Sequence, residues 1–216
     1  MKVIEPSLLA FNVHTLKAQL VEVKQAGAVY IHYDVMDGVF VTNKAFGPQQ
    51  LLDIHQQGLL GNVHMMVQDP IKWIKDFINF PIHALTFHPE VITNRTCLEA
   101  FNLLRTKKIK CGIALKVHVD ANQYQDLLKI CDYVCVMSVE PGKGGQSFIP
   151  EAMSNLQKVK KIKDLYNTKL VIQLDGGVNF DVMQNTKNYV DHFVIGSFLM
   201  KQENKKNVFE FLEKLK

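Results

Sequence analysis

The stretch Val29 to Gly38, VYIHYDVMDG, places a histidine and a carboxylate inside a run of β-branched and aromatic residues. Such a run predicts a strand, and alternation along a strand puts His32, Asp34 and Met36 on one face. An unpaired buried charge costs several kcal/mol, so His32 and Asp34 need partners. Two readings stay open for the pair alone: a hydrogen-bonded couple inside a core, or part of a metal or catalytic site. Later strand-like runs carry similar chemistry: His64 and Met66 lie in NVHMMV, Asp175 precedes Gly176 and Gly177, and Ser7 follows the first short run. If His32, Asp34, His64 and Asp175 converge, they offer two imidazoles and two carboxylates. That set suits a divalent transition ion with positions left for substrate oxygens. His64 alone reads as readily as a satisfied core histidine, but four such residues at the ends of three strands are hard to explain as packing.

Two carboxylates flanking a metal-held substrate suggest proton transfer. One ionised carboxylate removes a proton from carbon, the other returns one to the opposite face, and the carbon is inverted. A metal on the adjacent oxygens would stabilise the enediolate between the two steps. Such a pair is expected to have pKa values driven apart. A second cluster suits an anion. Pro141 to Phe148, PGKGGQSF, is glycine-rich, Gly176 and Gly177 follow the next strand, and Gly196 and Ser197 follow the one after. Glycines allow close backbone approach, and successive N–H groups bind phosphate without a dedicated cation. Tight turns need glycine anyway, so it is the recurrence on consecutive strands that counts. Met36, Met66 and Met137 at strand ends read either as soft filler for an irregular core or as a polarizable wall for a flat enediolate.

The elements that must position these residues alternate. Strand-like runs cover Val3 to Pro6, Val29 to Gly38, Asn62 to Val67, His83 to His88, Lys110 to Lys116, Tyr133 to Val139, Lys169 to Asp175 and His192 to Gly196. Between them lie helical patterns over Val13 to Ala26, Pro48 to Gln57, a segment capped by Asp69 with Pro70 at its first position, Asn94 to Thr106, Ala121 to Ile130, Pro150 to Leu165 and Phe180 to Lys187. Val208, Phe211, Leu212 and Leu215 mark a last amphipathic helix. Eight strand-then-helix cycles predict an α/β fold of (β/α)8 barrel type, with residues 1–216 as one domain and chemistry at the C-terminal ends of the strands. An open doubly wound sheet is the alternative, but no G-x-G-x-x-G follows the first strand.

Composition is that of an ordinary globular chain, with 47% hydrophobic and 21% charged residues. The net charge of +4 is spread over helical lysines with no basic run interleaved with aromatics, which argues against nucleic-acid binding while favouring an anionic metabolite. Cys97, Cys111, Cys131 and Cys135 form no C-x-x-C pair and read as reduced packing residues. No signal peptide is expected in Met1 to Ser7, and no apolar run approaches the about 20 residues of a membrane helix, so a cytoplasmic protein is expected.

Longer motifs resemble the ribulose-phosphate 3-epimerase family over nearly the whole chain. They are PSLLAFN (Pro6 to Asn12), HYDVMDGVFVTN (His32 to Asn43), FGP (Phe46 to Pro48), HMMV (His64 to Val67), TFHPE (Thr86 to Glu90), VMSVEPGKGGQSFIPE (Val136 to Glu151), DGGVN (Asp175 to Asn179) and GS (Gly196 and Ser197). The resemblance implies a metal held by His32, Asp34, His64 and Asp175, with Asp34 and Asp175 as the acid/base pair inverting C3 of D-ribulose 5-phosphate to give D-xylulose 5-phosphate. It implies sugar contacts from Ser7 and His64, and a phosphate site from Gly142, Lys143, Gly144, Gly145, Gly176, Gly177, Gly196 and Ser197. One zinc, iron, manganese or cobalt ion and a homo-oligomer are further implications. The chain departs from the family pattern at Lys143, usually Phe; at Lys116-Val117, usually Asn-Pro; and at Val39 and Thr42, commonly His and Pro.

Three alternatives differ in chemistry. An epimerase for a six-carbon ketose phosphate such as D-allulose 6-phosphate would keep the same carboxylates. A decarboxylase or aldolase of the related phosphate-binding barrels would show D-x-K-x-x-D, whereas Asp34 is followed by Val35, Met36 and Asp37. A barrel that only binds sugar phosphate would have lost one of the four polar residues, and all four are present.

Overall fold

The computed structural model describes residues 2–215; Met1 and Lys216, the ends of the expected domain, lie outside the described residues. The elements run β1 (Val3–Pro6), α1 (Leu16–Ala26), β2 (Tyr30–Asp37), β3 (Lys44–Ala45), α2 (Gln50–Gln56), β4 (Leu60–Met66), α3 (Pro70–Phe77), β5 (Ile82–Phe87) and α4 (Asn94–Thr106). They continue with β6 (Lys110–Leu115), α5 (Gln125–Leu128), β7 (Tyr133–Met137), α6 (Ala152–Tyr166), β8 (Val171–Asp175), α7 (Phe180–Thr186), β9 (His192–Ile195), α8 (Ser197–Met200) and α9 (Lys206–Lys214).

Local chemistry accounts for many of the boundaries. Asp69 caps α3 by accepting from the Lys72 N–H at 3.1 Å, with Pro70 at the first helical position, where its missing N–H is not needed. Thr93 caps α4 and Asn179 caps α7, so the last residue of the DGGVN motif starts a helix. The helical pattern from Val13 resolves into a 3-10 turn over Val13–Thr15 followed by α1, and that from Ala121 into a 3-10 turn over Ala121–Tyr124 followed by α5. The two-residue β3 and the four-residue α8 are too short to leave a periodic pattern, and neither is anticipated from sequence.

The strand order is β1-β9-β8-β7-β6-β5-β4-β2-β3, parallel throughout except for β3, which pairs antiparallel with the end of β2. A parallel bridge between Ser7 and His32 joins β1 to β2 and closes the remaining eight strands into a barrel. The expected (β/α)8 architecture is therefore present, and the open sheet is excluded by that bridge.

Outward-facing strand residues such as Ile31, Tyr33 and Val35 are fully buried against the helices, together with Leu20, Val23, Ile74, Phe77, Phe101 and Leu156. Each contributes about 1.5–3 kcal/mol through removal of apolar surface from water. The barrel interior differs. Its apolar residues include a small cluster of Ala114, Cys135, Met137 and Val139, with Met36 and Met66, whereas Glu5, His32, Asn62, His64, Thr86 and Gln173 are buried polar residues. Barrel interiors are usually filled by Val, Ile and Leu, so this polar filling needs a chemical explanation. All four cysteines are free and buried, as expected, and burial pushes the Cys97 thiol up to about 11.

Asp37 organises the loop after β2. Its Oδ1 accepts from the Val39 and Phe40 N–H groups at 2.8 and 2.9 Å, and Oδ2 accepts from the Gln68 N–H at 2.7 Å, tying this loop to the one after β4. Partial burial alone would raise the carboxyl, but these backbone donors outweigh it and hold the group below its ordinary value. A lowered folded pKa contributes stability that is complete above the unfolded value of 3.8 and is lost as pH falls through the folded value. Asp37→Asn, which turns an NH2 toward backbone donors, is expected to cost about 1–2 kcal/mol at neutral pH. Thermal melts from pH 7 to pH 3 should show the wild-type advantage shrinking only below about pH 4.

Candidate active site

Sheet register brings the polar residues to one level. Asp34 of β2 lies beside His64 of β4, Met36 beside Met66, and Met137 of β7 beside Asp175 of β8. One side-chain atom from each of His32, Asp34, His64 and Asp175 lies within 4.8 Å of the others. His32 Nε2 is 3.3 Å from Asp34 Oδ1 and 3.4 Å from Asp175 Oδ2. His64 Nδ1 is 3.3 and 3.6 Å from the same two oxygens. Both ring nitrogens are buried and make no hydrogen bond among the described residues. Nitrogens and oxygens facing one another with no donor shared well between them fit a cation: two neutral imidazoles and two carboxylates are the donor types a transition ion takes.

The electrostatics agree with that fit. Burial alone would lower His32, but Asp34 and Asp175 outweigh it and raise the imidazole well above its ordinary value; His64 is raised for the same reasons. Burial would raise the two aspartates, yet His32 and His64 hold both below the ordinary carboxylate range. The field that draws protons to the histidines would also draw a metal ion, and binding would release those protons. Both carboxyls are lowered because Asp34 and Asp175 face the same pair of imidazoles.

Two supporting groups were not singled out from sequence. Below the cluster, Glu5 is fully buried, accepts two hydrogen bonds from Gln173 Nε2 at 2.9 and 3.0 Å, pairs with His192 Nδ1 and lies 3.8 Å from His32 Nδ1. Beside it, His88 is fully buried with its Nε2 3.0 Å from His64 Nε2, and burial pushes it down to about 4. The signal was available: Glu5 precedes Ser7 by two, Gln173 precedes Asp175 by two and Thr86 precedes His88 by two, so the alternation applied to β2 places each on an inward face.

Above the cluster opens a cleft of about 350 Å³, ample for a small metabolite. Asp34, Asp175, Ser7, Met36, Met66 and Met137 line it, while His32 and His64 sit beneath. Ser7 Oγ donates to Asp34 Oδ2 at 3.1 Å. Gly142, Lys143, Gly144, Gly145, Gly176, Gly177, Gly196 and Ser197 all border the same cleft, whereas His64, expected to contact the sugar, is fully buried beneath it. Gly177, at φ 63°, could not carry a side chain: a Cβ would meet the Phe148 backbone nitrogen at 2.2 Å. Lys143 is exposed at the rim, and Lys201, which sequence gave no reason to select, stands with it. After β6, Asn155 holds the Lys116-Val117 departure in shape, its Nδ2 donating to the Val117 and Val119 carbonyls at 3.2 and 2.8 Å.

Two imidazoles and two carboxylates gathered at the C-terminal mouth of a parallel β/α barrel place the chain among the (β/α)8 barrels that work at that face. Residues 3–200 match the Ribulose-phosphate 3 epimerase family. Ribulose-phosphate 3-epimerase of Mycobacterium leprae is 35% identical over 198 residues, covering 90% of this chain and 86% of that protein. The enzyme of that name from Buchnera aphidicola is 32% identical over 212 residues, covering 97% and 92%. Among solved structures, a mutant tryptophan synthase alpha-subunit from Pyrococcus furiosus superimposes with a TM-score of 0.69 at 14% identity, covering 99% of this chain and 97% of that one, a likeness of fold. This chain belongs to the ribulose-phosphate 3-epimerase family.

A ligand that binds only the folded protein stabilises it by RT ln(1 + [L]/Kd), about 2.7 kcal/mol at a hundredfold excess over Kd. Zinc or cobalt should therefore raise the melting temperature and a chelator should reverse the rise. Asp34→Asn should abolish most of the metal-dependent increment, as measured by calorimetry of the apo and loaded forms.

Proposed function

We propose that residues 1–216 form one catalytic domain that interconverts D-ribulose 5-phosphate and D-xylulose 5-phosphate by proton transfer at C3. The observation that carries this reading is that two carboxylates, Asp34 and Asp175, line the same cleft as the glycine-rich turns. A ketose phosphate fits such a lining, with its phosphate among the turns and its reacting carbon at the carboxylates. His32, Asp34, His64 and Asp175 would hold one divalent ion, zinc, iron, manganese or cobalt, which when bound supplies positive charge for the enediolate oxygens.

Asp34 and Asp175 do the proton work. One ionised carboxylate takes the C3 proton as the C3–H electron pair forms the C2–C3 double bond and the C2 oxygen takes the charge, and the other, protonated at the outset, gives its proton to the opposite face of C3 as the C2 carbonyl re-forms. Ser7, through its hydrogen bond to Asp34 Oδ2, holds that carboxylate in place and lies within reach of the sugar. Met36, Met66 and Met137 form a polarizable wall beside the planar intermediate. Gly144 and Gly145 face Ser197 Oγ across the cleft, leaving backbone N–H groups and one hydroxyl for the phosphate. Lys143 and Lys201 add positive charge at the rim. Four buried, free cysteines support a reducing, cytoplasmic setting.

The metal-loaded protein with D-ribulose 5-phosphate in heavy water should place deuterium at C3 of both substrate and product, with exchange abolished by a chelator. Asp175→Asn should lower kcat by about 10²- to 10⁴-fold. Absence of exchange in the loaded protein would reject this substrate, and faster turnover of a six-carbon ketose phosphate would move the assignment to it. Lys143→Phe should raise KM by about 2- to 5-fold and flatten its salt dependence, the effect of one solvent-exposed charge. An unchanged KM would assign Lys143 to solvent.

A further inference from the structure

His64 turns Nδ1 toward Asp34 and Asp175, at 3.3 and 3.6 Å, and Nε2 away from them. A neutral imidazole carries one proton, so if Nδ1 offers its lone pair to an ion, the proton sits on Nε2. That nitrogen is 3.0 Å from His88 Nε2. His88 Nε2 then accepts, and the His88 proton sits on Nδ1, 3.4 Å from Glu90 Oε1. No hydrogen-bond partner closer than Glu90 reaches this buried Nδ1 among the described residues. Glu90 is in turn 3.3 Å from Lys116 Nζ, which lies 4.0 Å above the Phe40 ring, and that ring packs against His88 with centroids 4.7 Å apart. Lys116, a departure from the usual family residue, thus ends a continuous chain that begins at the candidate metal centre. Each member has one role as donor or acceptor once the first is set, and a group so held fixes ring orientation as well as tautomer.

We propose that His88 is a positioning residue: acting through His64 and anchored by Glu90 and Lys116, it keeps His64 Nδ1 free and aimed at the ion. The proposal rests on the metal centre put forward above. Cobalt titration by calorimetry, the visible Co²⁺ spectrum and the melting temperature of the apo form test it in wild type, His88→Phe and His88→Gln. The phenyl ring fills the space without accepting a proton, whereas the glutamine amide oxygen still accepts from His64 Nε2–H and its NH2 still donates toward Glu90. His88→Phe should weaken Co²⁺ binding by about 10- to 100-fold and shift the absorption bands; His88→Gln should lose less than about tenfold and keep the spectrum. Wild-type affinity and spectrum in His88→Phe would overturn the proposal, as would equal losses in both variants accompanied by equal drops in apo melting temperature. If wild type itself binds no cobalt, the metal centre falls and this inference with it; if wild type binds and the variants match it, only this inference falls.

Discussion

Burial of Asp34 and Asp175 within reach of the same two imidazoles is the constraint on which the rest of the structure depends. Two carboxylates this close repel, and neither is solvated well enough to tolerate the other without compensation. Compensation comes in layers. His32 and His64 face the pair directly, Glu5 with Gln173 and His192 occupies the level below, and His88 with Glu90 closes the side. A barrel interior that would otherwise be packed with aliphatic residues is given over to this network. Its apolar remainder is Met36 and Met66 with a patch from β6 and β7 and the start of the loop that follows. Stability is supplied instead by the outer layer, where the strands meet the helices and nearly every large side chain is dry.

The fold was legible because its signals are periodic. Alternation of short β-branched runs with amphipathic ones needs no long-range information, and Asp69-Pro70 or Gly27 punctuates it locally. Asp34 and His64 were legible for a related reason: in a parallel barrel, residues at the ends of successive strands converge whatever the loops do. The supporting layer was harder to see. Glu5 sits in a four-residue strand, Gln173 is a neutral residue in an apolar run, and His88 was noticed only as part of a motif. Alternation marks all three as inward, but which inward residues touch depends on barrel shear and closure, quantities that no single strand encodes. Lys201 was beyond reach altogether, since a surface lysine after a four-residue helix resembles any other.

The departures from family pattern fall where other groups can absorb them. Lys116-Val117 follows a strand end, and the buried Asn155 on α6 holds that loop through backbone carbonyls and the Ala121 N–H, contacts indifferent to the side chains replaced. Lys143 stands in a turn whose shape is secured by Gln146, which donates to the Glu140 and Lys143 carbonyls. In both places the backbone is fixed from outside the altered residue, so the backbone course at the mouth does not depend on the side chain that stands there.

The seam between Ser7 and His32 bears on how the protein is made. β1 lies between β2 and β9, pairing along its length with His192 to Ile195 and touching β2 through a single bridge. During synthesis the first strand therefore leaves the ribosome long before the neighbour it needs, and Asp175 and its surroundings arrive almost as late. Until β9 has emerged, Ser7, His32 and Asp34 have no closed barrel to share. Closing the barrel mouth at this seam therefore waits on residues 192–195.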